Sequence, residues 1–445
     1  MTLNTSYKQI LAISIPIMLG GAAQNIIALS DSVFLYHLSE LDFAAIGFVS
    51  VFYLIIAAIG FSFSKGGQII VARRFGEQEF ESAGRSFYAM LYFEFALSII
   101  MFLFMFFGAS WFFEFFIKSE AIYTKSLEYL NYRSYGVFFS YVGIGFVAFF
   151  TGIAKTKFII YDTLVLVGVN IVLNYSLIYG KFGLPEMGIA GAGLASTIAE
   201  ICAFIMFLIY LITNKSLSAF KLNRLPKIDF SIIKNILGIS SPVVAQSIVG
   251  LGSWFIFFSL VEDIGERELA MSNLARTVYL ILSIPTWGYA SGVNTLVSHF
   301  IGRKKRNVVM PIIHKTTKIT LLTTLVMALP FVLFPAFTLY PLFGGEDMSL
   351  MNDTQPIFYI VFFILITFSI GGIYFNGLAG TGATLFGLQM QTFCSIVYLS
   401  SIYLIVKVFQ LGLYWAWSIE FFYWALMYLI SMLYLRSNRW HSIKV

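Results

Sequence analysis

The sequence predicts an all-α integral membrane protein of twelve transmembrane helices, built as two parallel six-helix repeats around a central cavity. Three observations predict it. Hydrophobic residues make up 59% of the 445-residue chain and charged residues only 11%, whereas a soluble surface needs roughly a quarter of residues charged. Apolar runs of membrane-crossing length recur from end to end, each longer than the ~20 residues that a hydrocarbon core requires. Finally, motifs of the first half return in the second, with Pro16 and Pro242 standing 226 residues apart.

The apolar segments fall near residues 10–34, 43–71, 86–108, 128–151, 158–179, 187–213, 231–260, 268–299, 308–340, 354–378, 384–406 and 412–435. The first is too long for a signal sequence, carries Pro16 and Asp31, and has no small-x-small cleavage site, so it reads as a retained first helix. With twelve spans, twenty lysines and arginines fall on the side of the termini and five on the other. Cytoplasmic loops carry that excess, which places both termini in the cytoplasm of a multi-pass protein of the cell membrane. The net charge of +6 has the same origin and implies no nucleic-acid partner. Cys202 and Cys394 lie inside apolar runs, against a disulfide framework. The four histidines are scattered, without metal-ligand spacing.

The repeat is specific in its polar and small residues. Ile10-Leu11-Ala12-Ile13-Ser14-Ile15-Pro16 matches Ile236-Leu237-Gly238-Ile239-Ser240-Ser241-Pro242. The same offset carries Tyr53-Leu54-Ile55 onto Tyr279-Leu280-Ile281, and Gly66 onto Gly292. An even number of helices separates the copies, so they keep one orientation, a layout of transporters that work by alternating access. The expected organisation is an N-lobe at 1–213, a basic cytoplasmic linker at 214–230 and a C-lobe at 231–445. Gly188-x-x-Gly191-x-Gly193 has the form of a dinucleotide loop but follows a membrane helix, so close helix approach explains it better.

Several stretches resemble the MATE (multidrug and toxic compound extrusion) family of the MOP superfamily. They are Pro16 with Gln24-Asn25 and Asp31-Ser32-Val33-Phe34; Val71-Ala72-Arg73-Arg74-Phe75-Gly76; Asn170-Ile171-Val172-Leu173-Asn174-Tyr175 with the glycine-rich run Gly180 to Ser196; and Gly377 to Thr384. The third is similar to the NorM and DinF branches. The resemblance implies a secondary antiporter that exports amphipathic, often cationic, compounds in exchange for protons or sodium, with no other cofactor. A lipid-linked oligosaccharide flippase of the same superfamily is the alternative. An intramembrane enzyme would need clustered catalytic acids and histidines, and those here are dispersed.

An ionisable residue within a span is a functional candidate. Asp31 lies in the outer half of the first helix, where the family's acid also falls, and a carboxyl group kept from water suits proton uptake and release. The competing reading is a structural hydrogen bond. Asn170 and Asn174, spaced i, i+4 on one face of the fifth helix, and Ser196 on the sixth share its depth and form a candidate polar nest. Many relatives carry a second Asp where this chain has Asn174. Glu200, one turn beyond Ser196, is a candidate second acid. Glu94 and Glu420 read as structural or headgroup-facing, Asp162 as reaching water, and Lys65 as snorkelling. NorM-type relatives with a C-lobe sodium site carry a Glu eight residues after the seventh-helix proline. Here that residue is Gly250, which favours protons and the N-lobe.

Pro16 and Pro242 are candidate helix-bending points. Tyr36, Tyr141, Gln246, Trp254 and Tyr374 are candidates for a substrate cavity, with packing as the alternative; Asn273 and Arg276 are further candidates, with Arg276 locking the lobes or reaching headgroups as its alternatives. A monomer in the lipid bilayer, acting on small molecules, is the expected working unit.

Overall fold

The computed structural model describes residues 3–334, 348–437 and 439–443, with the side chains of residues 23–25 and Met348 left out. The Gln24-Asn25 pair and the predicted end of the ninth span near residue 340 therefore lie outside the described residues. Among the described residues every regular element is a helix.

The N-terminal repeat runs through spans Tyr7–Tyr36, Glu40–Gly76 and Phe80–Phe116, a broken fourth span, Lys157–Ile178 and Gly188–Thr213. The fourth span consists of Glu120–Arg133 and Gly136–Gly152, bent by 56° at the break. The third passes through a π-helical turn at Phe104–Gly108. The second repeat holds Phe230–Glu262, Glu266–Gly302, Val309–Leu333, Met348–Gly380, Thr384–Val408 and Leu413–Arg436.

Among the described residues ten helices are long and apolar enough to cross a membrane, and the bent pair makes an eleventh. The twelfth is Glu266–Gly302, whose 37 residues include Glu266, Arg267, Glu268, Asn273, Arg276, Asn294 and His299. Its polar content lowers its hydropathy, yet at ~1.5 Å per residue its length exceeds a bilayer's hydrocarbon core.

Local chemistry sets the helix ends. Ser39 caps the second span by accepting from the Asp42 amide at 3.0 Å, while its hydroxyl donates to the Asp42 carboxylate at 2.6 Å. Arg73 and Arg74 close the same helix, where the dipole favours cations. Both prolines of the repeat lie inside continuous helices.

The chain forms two compact units, one of Leu19–Ser241 and one of Met1–Met18 with Pro242–Val445. The leading ends of the first and seventh spans thus belong to the unit built mainly from the other repeat. Repeat-related residues make these contacts. The Ser240 hydroxyl donates to the Phe63 carbonyl at 2.8 Å and lies against Gly66, where any side chain would collide with it. In the other unit Ser14 lies against Gly292 in the same way. The matched Ser and Gly positions of the sequence repeat are thus one contact made twice.

The linker is folded rather than loose. Lys215–Phe220 forms a 3-10 turn, Lys155 donates to Ser216, and the hydroxyls of Tyr88 and Tyr92 donate to the carbonyls of Leu222 and Pro226. Phe220 packs among Phe75, Phe80 and Phe149.

Candidate ion-coupling site

Glycines bring the helices of the site together. A Cβ at Gly193 on the sixth span would run into the Tyr129 carbonyl, and one at Gly191 would meet the Leu177 carbonyl at 2.7 Å. The small residues allow the sixth span to lie against the fourth and fifth at backbone contact. This close approach positions Tyr129, Asn170, Asn174 and Ser196 around Asp31.

Asp31 is 3% exposed. Its Oδ1 accepts from Asn174 Nδ2 at 2.6 Å and Asn170 Nδ2 at 3.3 Å. Its Oδ2 accepts from the Tyr129 hydroxyl at 3.0 Å and the Ser196 hydroxyl at 3.1 Å. Asn170 also donates to Ser196, and Asn174 to Ser30 and to Asn170 Oδ1. Four neutral donors converge on one carboxyl group, matching the roughly four lone-pair sites of a carboxylate. Asn174 Oδ1, by contrast, is buried with no partner among the described residues. The sequence brought Asn170, Asn174 and Ser196 to this place but missed Tyr129.

Glu200 stands apart from the nest. Arg133 grips it through two 2.6 Å hydrogen bonds, and the guanidinium lies 3.9 Å from the centre of the Tyr53 ring. Tyr53 donates to Glu200 at 3.3 Å. Tyr129 and Arg133 are spaced i, i+4 on one helix, as are Ser196 and Glu200 on another, so the nest and the ion pair sit one turn apart along the same interface. An arginine inside an apolar run needs a counter-ion, and that was the available signal for the pair.

The model of the MatE family matches this chain twice, over residues 16–176 and 242–404. The chain belongs to the MatE family. The two matches begin at Pro16 and Pro242, so family and internal repeat agree on the duplicated unit. A protein of Thermotoga maritima described as a probable multidrug resistance protein NorM is 24% identical over 92% of this chain and 88% of its own. A Photorhabdus laumondii protein described in the same words is 28% identical over 67% of this chain and 66% of its own. Among solved structures, an outward-facing multidrug resistance MATE family transporter of the MOP superfamily superposes with a TM-score of 0.88. It shares 20% identity and covers 98% of this chain and 96% of its own. A MOP superfamily transporter from Pyrococcus furiosus, described as having a binding pocket of reverse polarity, superposes at 0.86 with 19% identity over 97% and 95% of the two chains.

The other expected positions of this MatE protein fall in varied surroundings. Tyr141 is buried inside its own unit, and its hydroxyl donates to the Ile56 carbonyl at 2.6 Å. Gln246 is buried, donating to the Thr384 carbonyl and accepting from Gln391 through its own backbone carbonyl. Tyr374 is buried between the rings of His314 and Tyr428. Tyr36 is exposed and meets His37 and Phe43 edge-on, and Asn273 is half-buried. Arg276 lies 4.8 Å over the Phe258 ring, and Trp254 packs on Phe258 and Tyr279.

The acids read as structural or headgroup-facing are buried, and so is the one read as reaching water. Glu94 is fully buried and accepts from Ser64. Asp162 is buried, with Oδ1 unpartnered, rather than reaching water. Glu420 is 5% exposed and faces no headgroup. Position along a helix gave the depth of these residues, but not the direction in which they point.

Proposed function

We propose that this MatE protein is a secondary antiporter that exports amphipathic, often cationic, organic compounds in exchange for protons, with Asp31 as the proton carrier. The names of its relatives support efflux as the activity. One observation carries the choice of carrier. Asp31 is buried among neutral donors, while Glu200 already has Arg133 as a fixed counter-charge.

The nest suits both protonation states. As a carboxylate, Asp31 receives four donors, and hydrogen bonds to a charged group are worth about 1.5–3 kcal/mol each. As an acid it needs an acceptor for its new O–H. The unpartnered Asn174 Oδ1 supplies one after rotation of the amide. An amide serves either state, whereas a second carboxylate at this position would compete for the proton. A sodium ion would need several oxygens turned toward it. Both amides present nitrogen to Asp31, which supports protons over sodium.

Proton uptake would bias alternating access, with Pro16 and Pro242 as flexing points because proline gives its helix no N–H. Both termini are cytoplasmic in this reading, and a single chain is the working unit.

The test is ethidium movement in inverted membrane vesicles. Wild type is expected to move ethidium when a pH gradient is imposed and to stop when an uncoupler collapses it. Asp31→Asn is expected to abolish movement at equal amounts of monodisperse protein. Gradient-driven movement persisting in Asp31→Asn would remove Asp31 from the mechanism, and movement driven by a sodium gradient alone would overturn the proton.

A further inference from the structure

The second repeat carries a buried acid of its own. Glu420 lies on the twelfth span, which corresponds to the sixth span that holds Glu200. Tyr53 faces Glu200, and Tyr279, its match at an offset of 226, lies beside Glu420. The two glutamates therefore occupy related places, each opposite the same tyrosine of the second helix in its repeat.

Their partners differ. Glu200 is held by the Arg133 guanidinium. Glu420 is held by the indoles of Trp254 and Trp424 and the hydroxyl of Tyr398, with Trp424 Nε1 donating to Oε1 at 3.1 Å. Among the described residues it makes no ion pair, and the segment 358–361 that corresponds to Arg133 reads Phe-Tyr-Ile-Val. The surrounding titratable groups are Tyr279 on the eighth span, Tyr398 on the eleventh with Cys394 one turn away beside Tyr423, and Tyr423 on the twelfth. The seventh span presents Trp254, and the tenth presents the Phe368 ring, 4.5 Å from Trp424. Arg276, one turn from Tyr279, lies over Phe258.

We infer that Glu420 is a second proton-binding carboxyl group, held in the C-terminal repeat by Trp254, Trp424 and Tyr398. The chemistry of the donors fits. An indole N–H only donates, so Trp254 and Trp424 serve the carboxylate and fix its position. A phenolic hydroxyl both donates and accepts, so Tyr398 can reverse its role and accept the O–H of the protonated acid. One oxygen takes the proton and Tyr398 turns, with no other group obliged to change charge. Glu200 differs, because its carboxylate is paired with the buried Arg133 guanidinium. As a transport step this rests on the proton-coupled reading above; as a binding site it does not.

Two of the seven tryptophans contact the carboxyl, so their emission reports its protonation. Purified wild-type protein is expected to show a reversible step in tryptophan fluorescence as pH is varied. Glu420→Gln is expected to lose that step, and Asp31→Asn to keep it. A step that survives in Glu420→Gln, or a wild-type protein with none, overturns the inference. If Glu420→Gln is not monodisperse, Glu420→Asp decides: the step should move along the pH axis, and an unmoved step overturns the proposal. In vesicles, the steady ethidium gradient should depend less steeply on the pH gradient in Glu420→Gln. Failure of the antiport reading looks different: wild-type ethidium movement ignores the pH gradient while the fluorescence step remains.

Discussion

The two repeats share a backbone plan but treat polar groups differently. The N-terminal repeat buries Asp31, Asn170, Asn174, Ser196 and an Arg133–Glu200 ion pair along one interface. The C-terminal repeat has hydroxyls, with Thr286 and Thr324 meeting Ser369, and a glutamate among aromatic rings. Duplication preserved the small residues and prolines that set helix contacts, while the polar interior diverged. In one half a buried glutamate is paired with a guanidinium. In the other, a buried glutamate meets indole and phenol donors.

Removing one partner in each half tests this contrast. The largest effect is expected from Arg133→Ala, which strands the Glu200 charge and should cost about 3–5 kcal/mol, read as a lowered unfolding midpoint in detergent. Adding Glu200→Leu should restore most of it. A single substitution without cost would break the comparison. Next, Tyr129→Phe removes one donor from Asp31 and should cost about 1.5–3 kcal/mol at a pH where the carboxyl is ionised, and less in acid, measured by the same unfolding midpoint. Gly193→Ala pushes a methyl group against the Tyr129 carbonyl and should cost about 1–3 kcal/mol, with reduced export in vesicles because the nest is displaced. The smallest effects should come from Tyr53→Phe and Tyr398→Phe, about 0.5–1.5 kcal/mol each. Tyr398→Phe alone should shift the fluorescence step of Glu420, and that shift sharpens the difference between the halves.

Much of this was legible in the sequence because membranes impose few solutions. Span length and basic loops gave the helices and their count, even where Glu266–Gly302 is too polar to pass on apolarity. The i, i+4 spacing of Asn170 and Asn174, together with the depth of Asp31 and Ser196, gave most of the nest. Tyr129 was missed because one tyrosine among many in apolar runs carries nothing to single it out, and the Arg133–Glu200 pair because an arginine in an apolar run calls for a counter-ion without naming it. The break at Ser134–Tyr135 turns the fourth span by 56° and was hidden inside a continuous apolar run. Glu420 stayed between a structural and a headgroup-facing reading because an apolar run cannot say which side of a helix meets lipid.

The crossed attachment of Ser14 to Gly292 and of Ser240 to Gly66 means that neither half of the molecule is self-sufficient. A gene severed within residues 214–230 would encode two fragments, each carrying a strip of helix that fits its sister and lacking the strip it needs. Produced singly, each fragment should misassemble or pair with its own copies by exchanging ends, as swapped dimers do. Produced in one cell, the two should complement each other and restore a working protein.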